Sequence, residues 1–180
     1  MKTLIINGST RTGGNTDALV AEFTKHLDGD YMTVTAYDSI SPCRNCGYCK
    51  THDGCAIDDR MTEVYRYFDE CDNLVIASPV WFMTLTGVAL NIASRFQTYW
   101  ESRHRSGDDT PAKNGVIILT GGMAGTQTSA QKAARAIFVT AGVKCPEVAV
   151  VKSMNTDKLP AKDDKKALAD ARAAAEMLNL

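Results

Sequence analysis

Two stretches of this sequence, Leu74-Val75-Ile76-Ala77 and Val116-Ile117-Ile118-Leu119, are apolar at every position. A strand with one face in water alternates polar and apolar residues, so an unbroken apolar run points to a strand covered on both faces. Thr3–Ile6, Tyr31–Ala36 and Val148–Val151 read as further strands. Helical spacing fills the intervals: Leu19, Val20, Phe23 and Leu27; Met61, Val64, Tyr65 and Phe68 behind Asp58-Asp59; Val88, Ile92, Phe96 and Tyr99. Ala130, Ala133, Ala134, Ile137, Phe138 and Ala141 form a stripe closed by Gly142, and an Ala-rich helix runs from Asp163 to Leu178. Strand and helix thus alternate five times. That order implies an α/β fold, a parallel sheet between helical layers.

Such sheets bind ligands beyond the carboxyl ends of their strands. The rule selects loops 7–16, 78–86 and 120–127. The first holds three glycines and small hydroxyl residues before a helix, a setting that suits a phosphate. Arg11 adds a forked, charged donor. The plainer reading is a Gly-rich turn with Asn15 or Thr16 as N-cap. The loop is neither a Gly-x-Gly-x-x-Gly fingerprint nor a Walker A loop. In the second loop, Trp81 and Phe82 must pack on the core, on a partner subunit or on a flat ligand such as a flavin. The third, Thr120-Gly121-Gly122-Met123-Ala124-Gly125-Thr126, leaves backbone donors open to a ligand edge.

Taken together, these loops resemble the NAD(P)H-dependent FMN reductases, flavodoxin-like proteins. Residues 8–16 are similar to that family's Gly-Ser-Pro-Arg-x-x-Gly-Asn-Thr, with Thr10 in place of Pro, and Ala77-Ser78-Pro79-Val80-Trp81-Phe82 is similar to its ring-binding loop. The cysteine-rich segment followed by Asp58-Asp59-x-Met61 resembles the iron–sulfur flavoprotein branch. The resemblance implies a three-layer, doubly wound, five-stranded parallel sheet of order 2-1-3-4-5. It implies FMN at the loops, with Ser9, Arg11, Gly14, Asn15 and Thr16 on the phosphate. Pro79, Val80, Trp81 and Phe82, with Thr120, Gly121, Gly122 and Met123, would lie along the ring. It implies an FMN-dependent oxidoreductase with NAD(P)H as electron donor; the alternative is an electron carrier serving a ferredoxin-like partner without a small substrate. The segment Leu90-Asn91-Ile92-Ala93-Ser94-Arg95 keeps only the Leu and Arg of a charged family motif.

Six cysteines stand out, four of them spaced Cys43-x2-Cys46-x2-Cys49-x5-Cys55. A 180-residue chain can bury roughly 70% of its unfolded surface and needs no disulfides to hold a core. The N-terminal apolar run is too short for a signal peptide, and no run approaches a membrane span. The expected compartment is therefore the cytoplasm, where thiols stay reduced. Clustered cysteines there point to metal or redox chemistry. The resemblance implies a [4Fe–4S] cluster on Cys43, Cys46, Cys49 and Cys55; a vacant site, a redox disulfide and incidental thiols are the alternatives. Arg44, Lys50 and Arg60 are expected to lower the thiol pKa values.

With 20 Lys+Arg against 21 Asp+Glu, the chain lacks the basic excess of a nucleic-acid binder. It is expected to be one domain, residues 1–180, with a Cys-rich insertion at 37–57 and a polar surface loop at 101–114. Its expected partners are a small-molecule acceptor or a redox protein, and a second or further copy in a homodimer or tetramer. His26, His52 and His104 read as surface residues, and Cys71 and Cys145 as thiols without a role. Arg103-His104-Arg105 reads as solvated charge in preference to a nucleotide-phosphate contact, and Tyr99 and Trp100 as helix-end packing.

Overall fold

Residues in the central strands send alternate side chains to opposite faces. Leu4, Ile6, Leu74, Ile76, Ile117 and Leu119 enter one core, which Met61, Val64, Phe68, Ile92, Phe96 and Phe138 complete. Ile5, Val75, Ala77, Val116, Ile118 and Val151 enter the other, with Leu19, Phe23, Ala171 and Leu178. Each large side chain removed from water in this way contributes about 1.5–3 kcal/mol. Both faces being covered, the runs have no polar alternation to show.

The structure is a computed structural model and describes residues 1–107, 112–144 and 149–180. Its strands are β1 (Lys2–Asn7), β2 (Asp30–Val34), β3 (Asn73–Trp81), β4 (Thr84–Leu85), β5 (Lys113–Gly121), β6 (Val143–Lys144) and β7 (Val150–Met154). The helices are α1 (Asn15–Lys25), α2 (Met61–Glu70), α3 (Gly87–Ser94), α4 (Gln97–Ser106), α5 (Gln127–Ala141) and α6 (Lys165–Leu178). The parallel order is β2-β1-β3-β5, with β6 and β7 both pairing the outer edge of β5. Counting the five long strands alone, this is the expected 2-1-3-4-5. Register aligns the carboxyl ends: Asn7 faces Ala77, Pro79 faces Thr120, and Gly121 faces Met154.

Three expectations need correction. The helix read through Val88, Ile92, Phe96 and Tyr99 is two helices. Arg95 N–H bonds Ile92 O at 3.1 Å and Phe96 N–H bonds Ala93 O at 3.0 Å, tight three-residue closures that end α3 and redirect the chain. Much of the expected 101–114 loop is helix, since α4 continues through Ser106. The N-cap of α1 is Gly14, neither Asn15 nor Thr16, and a glycine has no side chain with which to cap that end. The loop's last two residues, Lys113 and Asn114, open β5, while its residues 108–111, and Cys145 and Val148, lie outside the described residues. At α5 the expected stop holds: Gly142 closes it at φ 74°.

Candidate functional site

The turn after β1 starts from a tight approach. Gly8 N–H bonds Ala77 O at 2.8 Å, and Thr86 Oγ1 donates to Gly8 O at 2.7 Å. Thr86 is also the N-cap of α3, so one hydroxyl ties the first two loops to that helix. Beyond Gly8 the loop folds on its own polar groups. Ser9 Oγ donates to Arg11 O at 2.8 Å, and Asn7 Oδ1 accepts from Ser9 N–H at 3.0 Å. Asp17 accepts from Asn7 Nδ2 and from Gly13 N–H, each at 2.7 Å. Gly13 sits at φ +71°, where glycine is at ease. The uncapped N-terminus of α1 is then a place where backbone donors and helix dipole favour an anion.

The third loop joins the first through Thr16 and Thr120, whose buried hydroxyls lie 2.8 Å apart. It joins the turn after β7 through Thr156 N–H to Gly121 O at 3.0 Å and Ala124 N–H to Asn155 Oδ1 at 3.2 Å. Between these loops lies an open cavity of about 240 Å³. Of the residues singled out from sequence, Ser9, Arg11, Gly14, Asn15, Thr16, Pro79, Val80, Trp81, Thr120, Gly121 and Gly122 line it. Phe82 and Met123 do not; they stand at exposed tips beside it, Phe82 with 99% of its surface in water. The Asn15 side chain is spoken for, its Oδ1 accepting from Ala161 N–H at 2.9 Å. Thr156 and Asp157 also line the cavity, and sequence reading passed over them. The signal was available: they follow the last strand and so occupy the same sheet edge.

The aromatic loop is a hairpin. Val80 pairs Leu85 and Trp81 pairs Thr84, leaving Phe82 and Met83 as a two-residue turn. Both have positive φ, 49° and 63°. A type I′ turn demands that sign pattern, and Asn-Gly normally supplies it. Here two bulky side chains hold the strained positions and project into water.

A second site gathers the cysteine segment. Cys43, Cys46, Cys49 and Cys55 line one small pocket of about 20 Å³, room for roughly one water. All four are free thiols. Among the described residues, no three His, Cys, Asp or Glu side chains stand close enough together to hold a metal ion. The sulfurs must therefore shift before a cluster could enter, although the donor chemistry suits one: four thiols facing one space, with Asn45 N–H already donating to Cys43 Sγ at 3.4 Å. Burial pushes the Cys49 thiol up, and Glu101, Cys43 and Cys55 add to the rise, the reverse of the lowering expected from nearby cations. Among the described residues, none lines both this pocket and the larger cavity.

The floor under the cysteine segment comes from α3, α4 and the turn between them. Ser94 Oγ accepts from Cys43 N–H at 2.9 Å, and Thr98 Oγ1 donates to Gly54 O at 2.8 Å. Arg105 donates to Cys49 O at 2.7 Å and His52 O at 3.2 Å, and pairs with Asp53. Arg103 donates to Val139 O at 2.9 Å and to Thr140 O at the C-terminus of α5. These two arginines therefore hold carbonyls and are not the solvated loop charge that sequence suggested. Arg95, fully buried, pairs with Asp59 at 2.8 Å. Burial pushes the Asp59 carboxyl up, but Ser41 N–H, Arg95 and Met61 N–H outweigh it and hold the group below the usual carboxylate range.

Comparison with known proteins supplies a frame for both sites. The family described as NADPH-dependent FMN reductase matches residues 1–156. An iron–sulfur flavoprotein of Methanosarcina thermophila is 34% identical over 85 residues, 45% of this chain and 44% of that protein. A Bacillus subtilis protein whose name describes an NAD(P)H-dependent FMN-containing oxidoreductase is 27% identical over 124 residues, 68% of this chain and 67% of its own. This chain thus spans about half the length of the iron–sulfur relatives it matches. The solved NAD(P)H:quinone oxidoreductase from Methanothermobacter marburgensis superposes with a TM-score of 0.73 at 15% identity, covering 100% of this chain and 98% of that one. At that identity the likeness establishes the fold.

Proposed function

The chain belongs to the NADPH-dependent FMN reductase family, and we propose that it is an FMN-dependent oxidoreductase moving electrons from NAD(P)H to a small-molecule acceptor. The observation that carries this reading is the 240 Å³ cavity at the carboxyl edge of the sheet, with an uncapped helix N-terminus at one end and a backbone edge at the other. FMN, when bound, supplies the hydride-accepting ring. The protein's part is position. Ser9, Arg11, Gly14, Asn15 and Thr16 hold the phosphate, Asn15 through its backbone. Val80, Trp81 and the 120–122 backbone flank the ring. The exposed Phe82 apex and Met123 shield the outer side or meet a second copy of the chain.

The cysteine segment supports a finer reading. Cys43, Cys46, Cys49 and Cys55 would hold a [4Fe–4S] cluster, as the names of the iron–sulfur relatives suggest. Such a group supplies one-electron chemistry, which also fits service to a redox-protein partner. Among the described residues no helix is long and apolar enough to cross a membrane.

Titration of the purified chain with FMN tests the main reading. Saturable binding, followed by bleaching of the bound flavin with NADPH or NADH, is the expected result. An absence of flavin binding overturns it. Iron and sulfide analysis of anaerobically purified protein tests the cluster separately, and about four of each per chain is expected.

A further inference from the structure

Arg95 sits at the corner between α3 and α4 with none of its side chain exposed. Its Nη1 donates to Ser41 O at 2.9 Å and to Asp59 Oδ2 at 2.8 Å, and its Nη2 donates to Ile57 O at 3.1 Å. Ser41 precedes the first cysteine of the pocket and Ile57 follows the last. One planar guanidinium therefore closes the whole cysteine loop at its neck. Only arginine carries enough fixed donors for this; a lysine ammonium is a single point on a flexible stem.

A further donor is left over. Arg95 Nε is buried and has no hydrogen-bond partner among the described residues. A buried N–H of this kind calls for an acceptor within the same pocket. Arg95 lines the thiol pocket with its guanidinium carbon 5.8 Å from the centre of the Tyr65 ring, and its charge interacts with Asp59, Tyr65 and then Cys55. A sulfur carrying negative charge is the acceptor chemistry that fits there, because thiolates accept hydrogen bonds from nearby N–H groups when they ligate metal.

We propose that Arg95 is a positioning residue for the four-cysteine site: its Nη groups lock both ends of the thiol loop, and its Nε–H is held for a ligating sulfur. The proposal deepens the thiolate-site reading and rests on it for the sulfur contact alone; the loop closure stands on the hydrogen bonds given above.

The test uses the reduced, metal-free chain and two variants, Arg95→Lys and the neutral double variant Arg95→Gln with Asp59→Asn. Iodoacetamide labelling mapped by peptide mass gives one arm. In the wild type, exposed Cys46 reacts first. In both variants Cys43 and Cys55 are expected to label about tenfold faster, while buried Cys71 stays protected and reports an intact core. Unchanged rates at Cys43 and Cys55 overturn the proposal. So does loss of Cys71 protection in both variants, which makes Arg95 a support of the whole core and not of this loop.

Cobalt(II) titration gives the other arm. Arg95→Lys is expected to weaken cobalt binding about tenfold or more. The thiolate-to-cobalt charge-transfer band is expected to move to longer wavelength as the sulfur loses its donor, a change that packing loss alone does not produce. An unmoved band overturns the sulfur contact. A wild type that binds no cobalt overturns the thiolate-site reading, and the labelling arm still decides the loop closure.

Discussion

A Cβ placed on Gly8 would lie 2.7 Å from both Ala89 Cβ and Thr86 Oγ1. Neither neighbour can retreat: Ala89 is in the core, and Thr86 holds Gly8 O and caps α3. Gly8→Ala is therefore expected to cost about 2 kcal/mol by overpacking, a fall of about 4–8 °C in thermal midpoint for a chain of this size. Calorimetry of the FMN-free protein measures it. Asp59 gives a pH prediction with a definite sign. Its folded pKa lies below the unfolded value of about 3.9. It thus contributes stability above pH ~4, and that contribution disappears as pH falls through the folded value. Denaturant titrations from about pH 6 down to pH 2 are expected to show Asp59→Asn with a shallower acid decline than the wild type. At this scale the sequence was only partly legible. Ser9 and Thr16 announced themselves by following a strand in a Gly-rich turn. Arg95 stood out only as a remnant of a charged family motif, and its role was hidden because its partners Ser41 and Ile57 are 54 and 38 positions away and contribute only carbonyls.

Among the elements, the β3–β4 hairpin is built against its own conformational preference. Phe82 and Met83 occupy two positive-φ positions, each costing of order 1–2 kcal/mol for a residue with a Cβ. Replacing the pair with Asn-Gly keeps the turn and removes the strain. The double variant is expected to be more stable by about 1–2 kcal/mol without FMN. It is also expected to bind FMN or turn over more weakly, since Phe82 is 99% exposed and contributes nothing to the core. Paired measurements of thermal midpoint and FMN affinity separate the two effects; a variant with unchanged stability shows the turn to be unstrained. The helix α4 carries the opposite lesson. Its second half, Glu101–Ser106, has no apolar stripe because the face it turns to the cysteine segment works through a donor, Arg105, as the first turn does through Thr98. Hydrophobic periodicity cannot register an interface made of hydrogen bonds, so a polar helix was read as a loop. Where packing is apolar, as in α5 and α6, the periodicity located the helices.

For the whole molecule, the question is whether the two sites act on one another. The parallel sheet between helical layers and three of the four loops at the large cavity were readable, because a doubly covered parallel sheet writes unbroken apolar runs into the sequence and fixes which edge its loops occupy; the strand order came from the family resemblance. The relation between that cavity and the cysteine pocket was not readable. It depends on α4 and the 37–57 segment, which pack through polar groups. Among the described residues the two pockets share no lining residue. Ligand linkage then makes a quantitative expectation. FMN at a hundredfold excess over its dissociation constant stabilises the folded chain by about 2.7 kcal/mol, a rise of roughly 5–10 °C. Effects at sites without common partners add. Cys46→Ala removes one thiol of the cysteine pocket without touching the cavity, so the FMN-induced rise should be the same in that variant as in the wild type. Thermal melts with and without FMN, on both proteins in the same reduced state, measure this directly. A smaller rise in Cys46→Ala would mean that the cysteine loop braces the phosphate loop, and Tyr37, whose hydroxyl donates to Thr10 O at 3.2 Å, is the contact through which it would do so.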